Sequence, residues 1–161
     1  MSGPATRRAT PSDAGVLTRL INAAYRVEAF FLRGDRISEP DVLTRIEAPG
    51  ADFLVIDGTT AGRLAGTVYV EIRGDRGYFG LLSVDPDAQG TGLGRVLVEA
   101  AESHCRAAGC RALDIDVVNL RTELPPFYAK FGFRPVGESP FPRPAKLTQP
   151  VHLVLMSKPL A

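Results

Sequence analysis

Apolar residues recur along this chain with two different periods, and these divide it into predicted helices and strands. Behind Ser12, an N-capping residue type, the apolar residues keep helical spacing, which predicts a helix that ends near Phe30. A second, shorter helix is predicted over residues 40–47, where a Pro-Gly pair stops it. A short strand over residues 7–10 precedes both helices.

The middle and the end of the chain are predicted to be mainly strands. Their apolar residues are often aromatic or β-branched, and turns that contain Gly and Asp separate three of the first strands, which favours antiparallel neighbours. Further helices are predicted from Leu93 onward and over residues 124–131, and a long Pro-rich loop over 140–150. The predicted strands cover residues 53–56, 65–73, 78–84, 112–118, 133–137 and 151–157.

This order of elements predicts one α/β domain over residues 1–161, built on a central mixed and mostly antiparallel sheet with helices on both faces. The strands over 78–84 and 112–118 are expected to be parallel, because a helix connects them. With 161 residues, 45% of them hydrophobic, the chain is large enough to bury a core without disulfides or a structural metal.

The most informative segment joins the strand over 78–84 to the helix that begins at Leu93. Glycines stand at positions 90, 92 and 94, so a ligand can approach the backbone without interference from Cβ atoms. The first turn of the helix adds unpaired N–H donors and the positive end of the helix dipole. Together these features predict an anion site that suits a pyrophosphate.

Two other glycine-loop chemistries fit this segment less well. A P-loop needs Lys and then Ser or Thr after its last glycine, whereas a Leu-Gly pair follows Gly92. A dinucleotide fingerprint needs its third glycine where Arg95 stands, although Asp114 and Asp116 lie near the distance expected of a ribose-binding acid. Dinucleotide binding therefore ranks second among the cofactor hypotheses.

A third chemistry matches the segment completely. Residues 84–95, VDPDAQGTGLGR, contain the pattern Q-x-x-G-x-G behind a strand that ends V-x-P, which resembles the acetyl-coenzyme A loop of the GNAT superfamily of N-acetyltransferases. Downstream, Asn119 and residues 126–133, PFYAKFGF, are similar to a second segment of that family, in the same order. The predicted order of elements extends the resemblance over nearly all of the chain.

The resemblance implies acetyl-CoA as the cosubstrate and a role for individual residues. In the family, the strand before the glycine loop and its parallel neighbour splay apart, and the pantetheine arm enters the gap. Tyr128 is expected to protonate the departing thiolate, since a phenol with an ordinary pKa of about 10 stays protonated at neutral pH. The expected cofactor-binding residues are Leu82, Val84, Gln89, Gly90, Thr91, Gly92, Leu93, Gly94, Arg95, Asn119 and Lys130.

The general base is where the chain departs from the family pattern. Many members have a glutamate on the strand that feeds the glycine loop, but residues 78–84 contain no carboxylate. Glu71, Asp116 and His152 are the remaining candidates, with a chain of water molecules as an equal alternative.

Composition and charge narrow the classes of partner and the location that we expect for this protein. A formal net charge of +1 gives no electrostatic reason to expect nucleic acid or an anionic membrane, and no apolar run resembles a signal peptide or a membrane span, so a cytoplasmic protein is expected. Cys105 and Cys110 fit neither a redox pair nor a zinc set, which predicts two reduced thiols and no metal.

The leading hypothesis is an acetyl-CoA-dependent N-acetyltransferase in which a primary amine, on a small molecule or a peptide, attacks directly in a ternary complex. By position, Phe30, Phe31, Arg33 and the 140–150 loop are expected to line the acceptor pocket. The alternative is a non-catalytic acyl-CoA binding or sensing module, and a third hypothesis is nucleotide binding at the same loop. The sequence leaves the oligomeric state open, with a homodimer as one alternative, because dimers are common in such families.

Overall fold

The computed structural model describes residues 5–160, so residues 1–4 and Ala161 of the predicted domain lie outside the described residues. Its strands are β1 Arg7–Arg8, β2 Ala51–Asp57, β3 Leu64–Arg73, β4 Arg76–Val84, β5 Ala112–Val118, β6 Arg134–Pro140 and β7 His152–Pro159. They form one sheet in the order β1-β2-β3-β4-β5-β7-β6. β4 and β5 are parallel, and every other neighbouring pair is antiparallel, which confirms the predicted mixed and mostly antiparallel sheet.

Helices cover both faces of the sheet, as predicted. Within the described residues they are α1 Ala14–Ala24, α2 Glu39–Glu47, α3 Leu93–Ala107 and α4 Leu124–Ala129. In β2, Phe53 and Val55 pack with α1 and α2, whereas Leu54 and Ile56 pack with α3 and α4. Because successive side chains of a strand point to opposite faces of the sheet, β2 is buried on both faces along its apolar residues 53–56. None of these helices is long and apolar enough to cross a bilayer.

The first helix begins later than predicted. A 3₁₀ turn over Pro11–Asp13 precedes it, and the residue before that turn is Thr10, whose backbone N–H donates to the Asp13 carboxylate at 2.8 Å. Arg7 fixes the same carboxylate by an ion pair of 2.9 Å. The prediction that Ser12 caps this helix was therefore wrong, because the Asp13 carboxylate, bound by both Thr10 and Arg7, stabilises the turn before the helix instead.

The first helix also ends earlier than predicted. After Ala24 the backbone tightens into a second 3₁₀ turn over Tyr25–Glu28, so the helix stops before Phe30. Glu28 at the end of this turn is buried and pairs with Arg121 at 3.1 Å. The apolar spacing in the sequence does not predict this 3₁₀ turn, because Arg121, the partner of Glu28, lies more than ninety positions away along the chain.

Candidate functional site

A slot opens in the sheet between β4 and β5. The two strands pair only where Arg76, Gly77 and Tyr78 lie opposite residues 112–114. Beyond that point both strands continue without pairing to each other, β4 as far as Val84. Within the described chain, one edge of each strand is left without a strand partner, so its backbone N–H and C=O groups are available to a ligand. The splay that the resemblance implied is present.

A β-bulge in β4 accompanies the separation. The register with β3 shifts so that Leu81 and Leu82 together oppose the single residue Val68. Leu81 has a φ of 53°, a left-handed conformation that is uncommon for leucine. Because a bulge bends its strand and increases the local twist, it carries the end of β4 away from β5.

The slot forms one wall of a cavity of about 320 Å³. Residues 79–82 of β4 and 115–118 of β5 line it, together with Leu124 and Tyr128 of α4. Two loops close the opposite side, one after the first helix at Arg36 and one after β6 at residues 141–143. The cavity therefore lies between the separated strands and two segments that are distant in sequence.

Backbone hydrogen bonds hold these two loops together. The N–H of Arg33 donates to the carbonyl of Lys146 at 2.8 Å, and the N–H of Thr148 donates to the carbonyl of Phe31 at 2.9 Å. Of the predicted acceptor segments, the Pro-rich loop contributes residues 141–143 to the lining. Phe30, Phe31 and Arg33 do not line this cavity, because their backbone carries the loop contacts while Arg36 reaches the cavity instead.

A carboxylate and a phenol meet inside the cavity. The Tyr78 hydroxyl lies 3.3 Å from both carboxylate oxygens of Asp116 and donates to them. This position depends on Gly80, because a Cβ there would lie 2.6 Å from the Tyr78 hydroxyl oxygen. Burial raises the pKa of Asp116, against the lowering effects of the Tyr78 hydrogen bond and of nearby arginines. Asp116 therefore combines access to the cavity with an increased proton affinity.

Tyr128 of α4 stands between this cavity and a second groove. It lines both, although only 6% of the residue is exposed. Its ring packs against Phe79, Phe127 and Phe133, with centroids 5.0 to 6.0 Å apart. Its hydroxyl makes no hydrogen bond to another described residue and, since no fully enclosed side-chain oxygen or nitrogen of these residues lacks a partner, it reaches open space. Burial raises its pKa above the ordinary value. The phenol is thus held in its protonated form with a free O–H group.

The second groove, of about 510 Å³, leads from Tyr128 to the glycine loop. Leu82 and Val84 of β4 lie along it, followed by Gln89 and Gly94 of the loop. Lys130 lines the same groove from the end of α4. The predicted cofactor-binding residues at these five positions therefore border one continuous channel.

The glycine loop presents a row of free amides. No N–H group of residues 89–95 donates to another described residue, whereas the next one, of Val96, donates to the carbonyl of Gly92 at 3.3 Å. Gly90 and Gly92 have φ values of 81° and 82°, and a Cβ added to either would meet no protein atom within 4 Å. Unpaired amides around an open space at a helix N-terminus fit a phosphate group.

Neighbouring contacts fix the loop at its entrance. Asp85, which follows β4, accepts a hydrogen bond from Arg63 at 2.5 Å and one from the N–H of Asp87 at 2.9 Å. The Thr91 hydroxyl donates to the carbonyl of Ala88 at 2.5 Å. These bonds use side chains and leave the amides of residues 89–95 free.

The remaining predicted residues lie around this site in different settings. Leu93 is buried at the start of α3, and the guanidinium of Arg95 stacks over Phe131 at 5.1 Å on the surface. Asn119 accepts a hydrogen bond from the N–H of His152 at 2.9 Å and so joins the ends of β5 and β7. Neither Asn119 nor Arg95 lines the cavity or the groove.

Two of the predicted base candidates lie outside the cavity lining. Glu71 accepts hydrogen bonds from Tyr69 at 2.5 Å and from Arg73 at 2.7 Å, and these bonds lower its pKa against the effect of burial. His152 has a half-exposed side chain whose Nε2 lies 3.6 Å from the Glu138 carboxylate. Their role as bases stays a prediction. In residues 5–160 no three His, Cys, Asp or Glu side chains are grouped so as to hold a metal ion.

Several side chains of the cavity were not expected from the sequence. Tyr78 sits next to Asp116, and three arginines line the cavity: Arg36, Arg45 and Arg143. They come from a strand, a helix and two loops, and no spacing pattern links them. A tertiary structure was needed to bring them together.

Comparisons with known proteins agree with this geometry. Residues 19–145 match the family model described as an acetyltransferase (GNAT) domain. The chain is 34% identical over 130 residues to an aminoglycoside N(6')-acetyltransferase type 1 of Stenotrophomonas maltophilia, covering 71% of this chain and 76% of that protein. It is 38% identical over 97 residues to glucosamine 6-phosphate N-acetyltransferase 1 of Oryza sativa subsp. japonica, covering 55% and 57%.

Solved structures share the fold over the whole chain. The structure of yncA from Salmonella typhimurium with its cofactor acetyl-CoA superposes with a TM-score of 0.77 at 20% identity, and covers 99% of this chain and 95% of that one. The curated relatives are often longer than the matched region, and four of them are covered over only 29% to 57% of their length.

Proposed function

The chain belongs to the GNAT family of acetyltransferases, and from this premise we propose that it transfers the acetyl group of acetyl-CoA to a primary amine by direct attack in a ternary complex. The observation that carries the proposal is the position of Tyr128, which lines both the cavity and the groove that leads to the glycine loop. An acceptor in the cavity and a cofactor in the groove would meet at this side chain.

The groove and the loop supply the contacts that acetyl-CoA needs. The free amides of residues 89–95 would hold the pyrophosphate, and the free edge of β4 near Leu82 and Val84 would pair with the pantetheine amides. Lys130, which lines the groove, would interact with a phosphate of the cofactor. Bound there, acetyl-CoA supplies a thioester whose carbonyl carbon accepts the amine.

Asp116 is the base that the cavity favours. An amine attacks only when it is deprotonated, so a nearby group must accept its proton. Asp116 lines the cavity, is not ion-paired with any described residue, and has a pKa raised by burial, which brings its basicity closer to what this step requires. Tyr78, which donates to the same carboxylate, orients it.

Tyr128 is the acid of the proposed reaction. Its hydroxyl keeps its proton at neutral pH because burial raises its pKa, and it has a free O–H bond to donate to the departing sulfur. The hypothesis of a non-catalytic sensing module arose from the lack of a carboxylate on the strand over 78–84. Asp116, on the neighbouring strand across the slot, removes that reason.

The acceptor is proposed to be a small molecule. A cavity of about 320 Å³ lies at the lower end of the range for small-molecule sites. The names of the two relatives above refer to an amino sugar phosphate and to aminoglycosides, which are small amines. A peptide acceptor, a cytoplasmic location and a homodimer stay predictions.

Release of CoA thiol from acetyl-CoA in the presence of a panel of amines tests the proposal. Removing the acid in Tyr128→Phe is expected to lower kcat by about 10²-fold or more, with CoA affinity unchanged in calorimetry. Tyr25→Phe is the matched control, because it removes a hydroxyl from the same wall without removing the proposed acid. Full activity of Tyr128→Phe at every pH would exclude the acid role, and a protein that binds neither CoA nor acetyl-CoA would refute the function.

A further inference from the structure

Three arginines line the cavity. Arg36 lies after the first helix, Arg45 on α2, and Arg143 after β6. Arg143 donates to the backbone carbonyl of Arg36 at 3.1 Å, so two of the three segments are joined at this point. The fold therefore gathers three guanidinium groups around one small space.

An aromatic ring supports each of these guanidinium groups. The Cζ atoms of Arg36 and Arg45 lie 5.2 and 4.7 Å from the ring centroids of Tyr25 and Tyr69. The Cζ atom of Arg143 lies 5.7 Å from the ring centroid of Phe141. Stacking on a ring occupies the face of a guanidinium and leaves the N–H groups on its edge free to donate.

These three side chains lack the acidic partners that other arginines of the chain have. Within residues 5–160, no carboxylate oxygen lies within 4.0 Å of a nitrogen of any of the three guanidinium groups. This includes the carboxylate of Asp41, which also lines the cavity. By contrast, buried Glu28 in the same lining is paired with Arg121, at 3.1 Å. The lining also contains Asp41 and Asp116, whose charges act on Arg143 and Arg36 over a longer distance, so the three guanidinium groups have charged neighbours but no ion pair within the cavity.

The charge is also concentrated. Burial and the neighbouring charges of Arg36 and Arg45 lower the pKa of the Arg143 guanidinium, against the raising effects of Glu28 and Asp41. An anionic group bound between the arginines would reduce their mutual repulsion. The same lining contains Asp116 and Tyr78, beside which the reacting amine is proposed to lie.

We propose that the acceptor is a small primary amine that also carries an oxyanion group, a phosphate or a carboxylate, which Arg36, Arg45 and Arg143 bind while the amine faces Asp116. Guanidinium groups match phosphate and carboxylate by paired N–H···O hydrogen bonds, and these are stronger than bonds between neutral groups. The proposal rests on the proposed function, since it names the substrate class of the same site.

Matched pairs of amines test this substrate class. The pairs are O-phosphoethanolamine with ethanolamine, glucosamine 6-phosphate with glucosamine, and glycine with glycinamide, so that phosphate and carboxylate are tested separately. With acetyl-CoA saturating, the anionic member of at least one pair is expected to have a kcat/KM about tenfold or more above its neutral counterpart. Equal or higher values for the neutral member in all three pairs would overturn the proposal.

Single Arg→Gln variants show whether the three arginines cause the preference. Arg36→Gln, Arg45→Gln and Arg143→Gln are each expected to reduce the ratio of kcat/KM for the anionic amine to kcat/KM for its neutral counterpart by about 10- to 100-fold. Arg33→Gln is the control, because this exposed arginine lies in the same loop as Arg36 but outside the lining. Arg45→Gln is the most direct variant. Unlike Arg143→Gln it removes no bond between the loops, and unlike Arg36→Gln it does not remove a charge that acts on Asp116. A preference that survives in all three variants would overturn the proposal.

A binding measurement separates this proposal from the proposed function. Calorimetric titration of the protein with CoA reports whether the cofactor site exists. Titration of the CoA-bound protein with O-phosphoethanolamine or inorganic phosphate reports on the arginines even when no acetyl group is transferred. Phosphate binding that is lost in Arg45→Gln supports the anion site, whether or not acetyl transfer is observed. If the protein acetylates neutral amines but does not bind phosphate, the anion site is refuted and the proposed function stands.

Discussion

Replacing Gly92 by alanine is the sharpest test of the glycine loop. Gly92 stands immediately before α3 with a φ of 82° and a ψ of 9°, and no protein atom lies within 4 Å of the position its Cβ would take. A methyl group there meets no steric clash with the protein. It either stands in the open space that we assign to a phosphate, or it draws the backbone out of the left-handed region and turns the adjacent amides.

Two separate magnitudes follow from this geometry. An alanine held in the left-handed region costs about 1–2 kcal/mol of folding free energy. For a chain of this length each kcal/mol lowers Tm by about 2–4 °C. Loss of one amide hydrogen bond to a charged phosphate oxygen is worth about 1.5–3 kcal/mol, which weakens CoA binding by about 10- to 150-fold.

Gly109→Ala is the matched control, because Gly109 lies just beyond the other end of α3 with a φ of 84° and also has no protein atom within 4 Å of its added Cβ. Both variants are expected to lose similar thermal stability in a denaturation scan. In isothermal calorimetry only Gly92→Ala is expected to lose CoA affinity. If both variants bind CoA as the unmodified chain does, or both lose it equally, the assignment of the phosphate to this loop is refuted.

Two further variants test the packing and the proton transfer. Gly77→Ala is expected to destabilise the fold by about 1–3 kcal/mol in chemical denaturation, because its Cβ would clash with Sγ of Cys105 and lie 2.9 Å from Cβ of the same residue. Gly137→Ala is the control and should be nearly neutral, since its Cβ would lie 3.8 Å from Cδ1 of Leu155. Equal stability of the two variants would contradict this reasoning. Asp116 must be ionised to accept a proton, and its pKa is raised, so kcat/KM should rise with pH through a pKa above the ordinary aspartate value. Asp116→Asn should remove that limb, and an unchanged profile would exclude Asp116 as the base.

The local structure of the glycine loop and of α3 was predictable because its signals are local. The glycines of the loop, the strand end before them and the helical period of α3 lie within a few consecutive turns of chain, and each reports on its own conformation. The structure begins α3 at Leu93, as predicted from the sequence, and adds that Gly90 and Gly92 have left-handed backbone.

The acceptor side was not predictable, because its residues meet only in the tertiary structure. Arg36 and Arg143 are 107 positions apart and are brought together by several hydrogen bonds between two loops. Asp116 was one of three candidate bases in the sequence, but its distinguishing feature is Tyr78 across the slot, 38 positions away. No period or spacing encodes such pairs.

The bulge at Leu81 explains how the two sides become one site. A leucine in left-handed backbone costs about 1–2 kcal/mol, so the sequence over 78–84 predicts an ordinary strand. The Leu81 side chain is 7% exposed within the cluster of α1 and α2, and burying a leucine contributes about 1.5–3 kcal/mol, which is enough to offset that cost. The core on one face of the sheet therefore stabilises the distortion that separates β4 from β5. The same separation exposes the edge of β4 to the groove and opens the cavity beside Asp116, so packing on the opposite face of the sheet determines where the proposed acceptor site and the proposed cofactor site meet.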